Sequence, residues 1–432
     1  MIQRNNETLL SKENLMDKIL SNFNLHEAWK KVKANGGVPG IDGVTILEFK
    51  NHAKKSWNKI KSQLTVGKYK PKPVKRVEIP KPNGGKRKLG IPCVMDRVIQ
   101  QAVLQVLDPI FDPSFSKNSF GFRKGRNAHQ AIERARQNWQ EGFKMAVDLD
   151  LYHFFDEVNH DILMHNVSKK IKDKMVLKLI GNFLRSGVVI NGKQEKTQKG
   201  CPQGGPLSPL LSNIILDVLD KELEKRGHRF VRYADDAIIQ VKSLRAGDRV
   251  MNNITHFLEK KLKLKVNTDK SKVSTMDSEV TFLGFILKRG QIRWSDKAFC
   301  KFIARIKELT NRSHRISMRF RVNKLNEYIR GWMGYFGISK YYSPIPNIDH
   351  WIRRRIRMCF WVDWKYCRNR IREMIKRKAP THQAILTGLS RKGPWHLSKT
   401  FAMNMAINDK FLKDFGLLSV KELWIQIHYP NG

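Results

Sequence analysis

Phe230-Val231-Arg232-Tyr233-Ala234-Asp235-Asp236-Ala237-Ile238-Ile239-Gln240-Val241 decides the fold of this 432-residue chain. Apolar residues on both sides of an acidic pair predict a hairpin of two strands with the acids at its turn. Adjacent residues of a regular strand point to opposite faces, whereas a turn lets Asp235 and Asp236 converge. An Asp-Asp pair is ordinarily a solvated turn. Here both flanks are apolar, so a buried sheet delivers the acids to one place. A second acidic strand lies upstream at Met145–Leu151, where Asp148 and Asp150 are two apart and share a face. Carboxylates from two separate strands suit phosphoryl transfer between a hydroxyl and a nucleoside triphosphate, which commonly employs two divalent ions about 3.5–4 Å apart. Magnesium wants oxygen ligands, and Asp is the shortest side chain that supplies a carboxylate.

Outward from these strands the pattern is mixed. Residues 12–35 carry helical periodicity through Leu15, Ile19, Leu25, Ala28 and Val32, then break into a Gly-rich loop at 36–43. Tyr69–Pro82 alternates prolines with basic residues and is predicted to be extended or an edge strand. Asp96 is the expected N-cap of a helix through Val98, Ile99, Ala102, Val103, Val106 and Leu107, and another helix is expected over Pro209–Leu223. From about residue 296 strand signals fade, and basic helices rich in tryptophan follow. Arg353, Arg354 and Arg357 recur at helical spacing with no acid between His350 and Trp361. One face of that helix is therefore expected to lie along a phosphate backbone while Trp351, Ile352, Ile356 and Phe360 pack inward.

Charge narrows the function. There are 82 Lys and Arg against 39 Asp and Glu, a net charge of +43, spread along the whole chain as an extended nucleic-acid track requires. No apolar run approaches the roughly 18 residues needed to cross a bilayer, and the N-terminus lacks the apolar core of a signal peptide, so a cytoplasmic chain without membrane contact is expected. The five cysteines include no CxxC pair, which argues against structural zinc and against a disulfide framework.

Together the motifs resemble the reverse transcriptases encoded by group II introns. Tyr233-Ala234-Asp235-Asp236 is similar to that family's signature, and Val147-Asp148-Leu149-Asp150-Leu151-Tyr152-His153-Phe154-Phe155-Asp156 to its first acidic motif. Gln203-Gly204-Gly205-Pro206-Leu207-Ser208-Pro209, after Gly200-Cys201-Pro202, resembles the substrate-binding motif between them. Ile79–Pro92 looks like the fingers hairpin, Ser119-Phe120-Gly121-Phe122-Arg123 like a backbone-contacting stretch, Leu264–Lys272 like the motif whose lysine, here Lys270, faces the departing pyrophosphate, and Phe282-Leu283-Gly284-Phe285 like the primer grip. Tyr328–Phe336 and Asp349–Arg357 resemble the thumb, or maturase region.

The resemblance implies an α+β right-hand polymerase with an N-terminal extension over 1–70, fingers and palm over 71–290, a thumb/maturase domain over 291–378 and a nucleic-acid-binding region over 379–432. It implies Asp150, Asp235 and Asp236 as catalytic metal ligands, with Leu151 also at the metals. Two Mg2+ ions are expected, for which Mn2+ can substitute. Lys81, Arg87, Phe155, Gln203 and Lys270 are the expected nucleotide contacts, with Phe155 beneath the ribose; Asp148 and Asp156 become neighbours of the centre. The implied partners are a group II intron RNA or another RNA template, a DNA primer or target, and dNTPs, in a bacterial cytoplasm and nucleoid. The implied activity is RNA-directed DNA synthesis with assistance to splicing and mobility. A domesticated enzyme of phage defence or DNA repair would keep every motif, and an RNA-binding maturase without polymerase activity would tolerate loss of the acids, which are intact here. With no Cys/His cluster of the usual nuclease type, the chain is expected to take its primer from elsewhere, such as a replication fork.

Overall fold

The computed structural model describes residues 14–80, 86–277 and 280–430. The chain divides into two compact units, Met1–Thr275 and Met276–Gly432, and is of the α+β class. Among the described residues no helix is long and apolar enough to cross a membrane.

The first unit contains two sheets. One is built from β1 (Val74–Pro80), β2 (Lys86–Ile91), β4 (Val188–Ile190) and β5 (Lys193–Glu195), in the order β2-β1-β4-β5. The other is built from β3 (Met145–Leu149), β6 (Arg229–Tyr233), β7 (Asp236–Val241) and β8 (Lys272–Thr275), in the order β6-β7-β3-β8. The second sheet is antiparallel throughout. Val147, Leu149, Phe230 and Ile239 of this sheet join one buried core with Ile215 and Leu219 of the helix Ser208–Lys225 and Ile254 of the helix Leu244–Phe257. That burial is what holds a short strand such as β3 in place with its acids at one end.

Several local expectations are corrected. The helical stretch at 12–35 is two helices, Leu15–Ile19 and Asn22–Asn35, because Ser21 is extended and its hydroxyl caps the Asn24 amide at 3.3 Å. β1 is extended as expected, but it is internal at its start, pairing parallel with β4 at Val74 and Lys75 and antiparallel with β2 along Lys75–Pro80; its proline is its last residue, where no amide is needed. The upstream acidic strand ends at Leu149, and Phe154–Glu157 forms a helical turn after His153, which takes a left-handed conformation at φ 44°. The alternation of faces expected of a strand therefore does not apply to Phe154 and Phe155.

Asp96 is not a cap. The helix spans Val94–Phe111 with Cys93 at its N-cap, and Asp96 is 2% exposed inside the first turn. It accepts from the Tyr69 hydroxyl at 2.7 Å and the Lys72 amide at 3.3 Å, clamping the chain that enters β1. The same helix start holds the 36–43 loop: Arg97 donates to the carbonyls of Pro92 and Val38, and a Cβ on Gly40 would lie 2.7 Å from the Cys93 Cα. Burial pushes the Asp96 carboxyl up to about 6, the two hydrogen bonds only partly opposing it. Between about pH 4 and 6 the folded chain thus keeps a proton that the unfolded chain releases, so this contribution is full below pH 4 and is lost as pH rises through 6. Asp96→Asn should therefore gain stability relative to the native chain, by up to about 3 kcal/mol, on going from pH 4 to pH 7. Parallel denaturant titrations at the two pH values measure that difference, and a constant gap between the two proteins contradicts it.

The second unit opens with β9 (Thr281–Phe282), β10 (Phe285–Lys288) and β11 (Gln291–Trp294), after which its described elements are all helical. In the tight turn between β9 and β10, Leu283 and Gly284 have φ of 51° and 80°. Tyr335 braces it, its hydroxyl donating to the Leu283 carbonyl at 3.0 Å. Helices Met318–Phe336 and Ile345–Asp363 build a core around Phe302, stacked 4.1 Å from Trp332, and the fully buried Trp361.

The helix Ile345–Asp363 does not present its arginines as a free cationic face. Arg357 is 5% exposed, donates to the Ile407 carbonyl at 2.8 Å and pairs with Asp409 at 3.1 Å. Arg353 pairs with Asp349 and Asp409, and Arg354 donates to the Trp395 carbonyl at 2.8 Å. These side chains staple the 395–409 segments to the helix. Trp351, Ile352, Ile356 and Phe360 do lie in or against the core, as expected.

Candidate active site

The acidic residues are positioned by register. β3 pairs with β7 through Asp148–Ile238 and Leu149–Ala237, so the next residues, Asp150 and Asp236, lie at the same end of neighbouring strands. β6 pairs with β7 through Tyr233–Asp236, leaving Ala234 and Asp235 as a two-residue turn, with Ala234 at φ 59°. Tight hairpins twist correctly with such positive φ values, but a non-glycine residue there is strained and must be held.

What holds it was not among the expected site residues. Arg232 is 1% exposed and makes a two-pronged pair with the fully buried Asp220, Nε to Oδ1 at 2.8 Å and Nη2 to Oδ2 at 2.5 Å. Its Nη1 also donates to the Ala234 carbonyl at 2.8 Å and to Asn213 Oδ1 at 3.0 Å. Asn213 in turn donates to the Gly121 carbonyl at 2.9 Å. Gly121 lies against the turn itself, and a Cβ there would collide with the Ala234 amide nitrogen. The Ser119–Arg123 stretch is thus the wall behind the acidic turn, with its buried Arg123 spent on Asp112 and the carbonyls of Ser116 and Ser119. An arginine between Val231 and Tyr233 of a strand and a buried aspartate, Asp220, on a largely apolar helix were the only signals in the sequence.

Asp150 is clasped by the loop before β8. Its amide donates to Ser271 Oγ at 3.0 Å and its carbonyl accepts from the Asn267 amide at 2.8 Å, while the Tyr152 amide reaches the Lys265 carbonyl at 2.9 Å. The Leu151 side chain is buried, so only its main-chain carbonyl could face an ion. Lys270, on that loop, places its ammonium 3.4 Å from Asp150 Oδ2.

The carboxylates feel one another. Asp236 still reaches solvent, but the protein around it is dense enough that desolvation, then Asp235, Asp148 and Asp150, push its pKa up to about 6. Desolvation also raises Asp235, with Asp150 adding to it and Arg87 opposing, and Asp148 is raised by burial and by Asp150. Crowded carboxylates whose proton affinity stays raised despite Lys270, Lys272 and Arg87 are a set of hard oxygen donors short of positive charge, which is the chemistry a divalent ion fits. Among the described residues no three His, Cys, Asp or Glu side chains already stand at metal-binding separations.

Of the expected nucleotide contacts, two meet directly: Arg87 Nε donates to Gln203 Oε1 at 3.1 Å. The Gln203 carbonyl accepts from the Gly90 amide at 2.7 Å, and Gly204, at φ 127°, leaves no room for a Cβ, which would sit 2.5 Å from the Gly90 carbonyl oxygen. Phe155 opens into a different space, a cavity of about 740 Å³ with Arg76, Lys88, Tyr152, Asp156 and Gly200 on its walls; Phe154 does not line it. Asp156 anchors this wall through Arg76 at 3.5 Å. Lys81 lies outside the described residues.

Residues 79–287 match the reverse transcriptase (RNA-dependent DNA polymerase) family, and residues 300–379 match the group II intron maturase-specific domain. Protein YkfC of Escherichia coli (strain K12) is 31% identical, over 60% of this chain and 78% of its own. The group II intron-encoded protein LtrA of Lactococcus lactis subsp. cremoris is 31% identical over 55% of this chain and 51% of its own. The putative COX1/OXI3 intron 2 protein of Saccharomyces cerevisiae is 30% identical over 60% of this chain and 37% of its own. This chain thus spans about half of LtrA and less of the yeast protein. With both domains present in that order, the chain belongs to the group II intron reverse transcriptase/maturase family.

Proposed function

We propose that this chain copies RNA into DNA, with Asp150, Asp235, Asp236 and the Leu151 carbonyl holding two divalent ions, and that it binds a group II intron RNA to assist splicing and mobility. The observation that carries this reading is the convergence of acids from the end of β3 and the β6–β7 turn, where Asp235, Asp148 and Asp150 together raise the proton affinity of Asp236. Bound magnesium, or manganese in its place, would supply an activated primer hydroxyl and charge neutralisation on the phosphates. The chain's own residues do the rest. Arg232 and Gly121 hold the turn so that Asp235 and Asp236 are presented together, and the Asn267–Ser271 loop holds Asp150. Arg87, oriented by Gln203, and Lys270 bring positive charge to the triphosphate of a dNTP and to its departing pyrophosphate. The four-part division made from the sequence, with extension, fingers and palm, thumb and terminal region, is retained as part of this proposal.

Phe155 sets the sugar. A planar ring beneath the ribose leaves no room for a 2′ hydroxyl, and an overpacked fit costs about 1–3 kcal/mol, roughly 10- to 100-fold in selection. Phe155, and not Phe154, lines a cavity, which favours Phe155 over Phe154 as that ring. Phe155→Val should admit ribonucleotides while keeping deoxynucleotide synthesis, as read by single-nucleotide incorporation with each sugar. Equal loss on both sugars would make Phe155 packing alone.

Binding to intron RNA should weaken steeply with salt, by about 10³–10⁵ between 50 and 200 mM if some six to ten phosphates are contacted. The same preparation should lower the magnesium concentration at which a cognate group II precursor splices. A chain that extends primers but leaves that requirement unchanged lacks the maturase role.

A further inference from the structure

The second unit holds a cavity of about 490 Å³ walled by Trp351, Trp395, Met358, Lys307, Arg312 and Arg355. It combines two indoles and three cations without an acid, and nothing in the polymerase site uses it. Its walls are fixed in advance. Arg355 donates to Thr310 Oγ1 at 2.5 Å and to the carbonyls of Lys307 and Thr310, both at 3.2 Å, with its guanidinium 5.4 Å from the Trp351 ring centre. Arg321, 4% exposed, holds the adjoining loop through the carbonyls of Leu309, Asn311 and His314. The Arg354 guanidinium stacks 3.8 Å from the centre of the Trp395 ring. Arg354 is not itself on the cavity wall, and its stacking and its bond to the Trp395 carbonyl fix this indole in place. Trp395 remains 37% exposed, and Lys307 and Arg312 have no acid partner among the described residues.

Indole faces stack on any base, and unpaired cations at the rim meet phosphates, which is how unstacked single-stranded nucleotides are gripped. We propose that this cavity is a binding site for one unstacked base of single-stranded RNA, held against Trp395 and Trp351 while Lys307 and Arg312 meet the flanking phosphates. The proposal rests on the RNA-binding reading above and adds to it a stacking site within the second unit. An acidic peptide would satisfy the cations but leave the indole faces without a planar partner.

The test uses the full chain and a short oligo(U), its abasic ribose-phosphate counterpart, and an oligo(U) with a single 4-thiouridine. The native chain should prefer oligo(U) over the abasic strand by roughly 5- to 100-fold. Trp395→Leu should bring that ratio close to one without changing abasic affinity, and the thiouridine should cross-link to a peptide bearing Trp395 or Trp351. Should Trp395→Leu fold poorly, Lys307→Gln with Arg312→Gln should lower the log–log salt slope for both strands by up to about two while keeping the ratio. An unaltered ratio in Trp395→Leu, cross-links only to other segments, or an unaltered slope overturns the site. Competition by an oligo-aspartate of equal charge as effective as unlabelled oligo(U) assigns the cavity to acidic peptides and also overturns it. A native chain that binds neither strand fails the RNA-binding reading itself, a different outcome from binding without base preference.

Discussion

Asp235→Asn should cut primer extension by on the order of 100-fold or more, because even groups that only orient a metal's ligands contribute about 10- to 100-fold. The substitution keeps the shape of the side chain and removes one charge from a carboxylate that burial and Asp150 already make costly to ionise. Folding should therefore be unharmed, and relief of repulsion on Asp236 should if anything favour the folded state. RNA affinity should hardly change, since one charge is small against a net +43. Single-turnover extension and RNA binding on the same preparation separate these effects. Near-native extension in magnesium would show that the centre has been placed on the wrong residues.

Arg232→Met should have the second large effect, and it reaches the same centre from behind. It leaves Asp220 fully buried without its partner, and breaking such a pair from one side costs about 3–5 kcal/mol. It also frees the Ala234 carbonyl and Asn213, so the left-handed Ala234 loses its tie. Arg232→Lys should recover only part of this, because one ammonium cannot serve both Asp220 oxygens, Asn213 and the turn at once. Denaturant unfolding measures the stability loss. Extension normalised to folded protein measures the turn, and it should fall in Arg232→Met well beyond the loss of folded material. A stability change under about 1 kcal/mol would mean the pair is dispensable.

The acidic hairpin was legible because its signals are local. Apolar flanks around Asp235-Asp236 identify a hairpin, and the two-residue spacing of Asp148 and Asp150 gives their shared face. The helix at Ser208–Lys225 is announced by its apolar stripe and by proline in its first turn. What could not be read depends on distant partners. Arg232 finds Asp220 across two elements. Arg357 looks unopposed only while Asp409, 52 residues on, is out of view, whereas Arg353 also meets Asp349 four residues back, a pairing that helical spacing offers in the sequence itself. Asp96 has the composition of a cap, yet Tyr69 and the Lys72 amide claim it for the interior. The side-chain direction of Phe155 was open because one left-handed residue, His153, turns a strand into a helical turn. The cavity between Trp351 and Trp395 has no sequence signature, since its walls come from three separated stretches.

The most direct test of the central claim is single-turnover primer extension by the purified native chain on an RNA template, with dNTPs and magnesium as the only additions. The account predicts a DNA product that follows the RNA sequence, requires the divalent ion, and disappears in Asp235→Asn. RNA binding of undiminished strength with no template-directed product from the native chain would contradict it, leaving a maturase that does not polymerise.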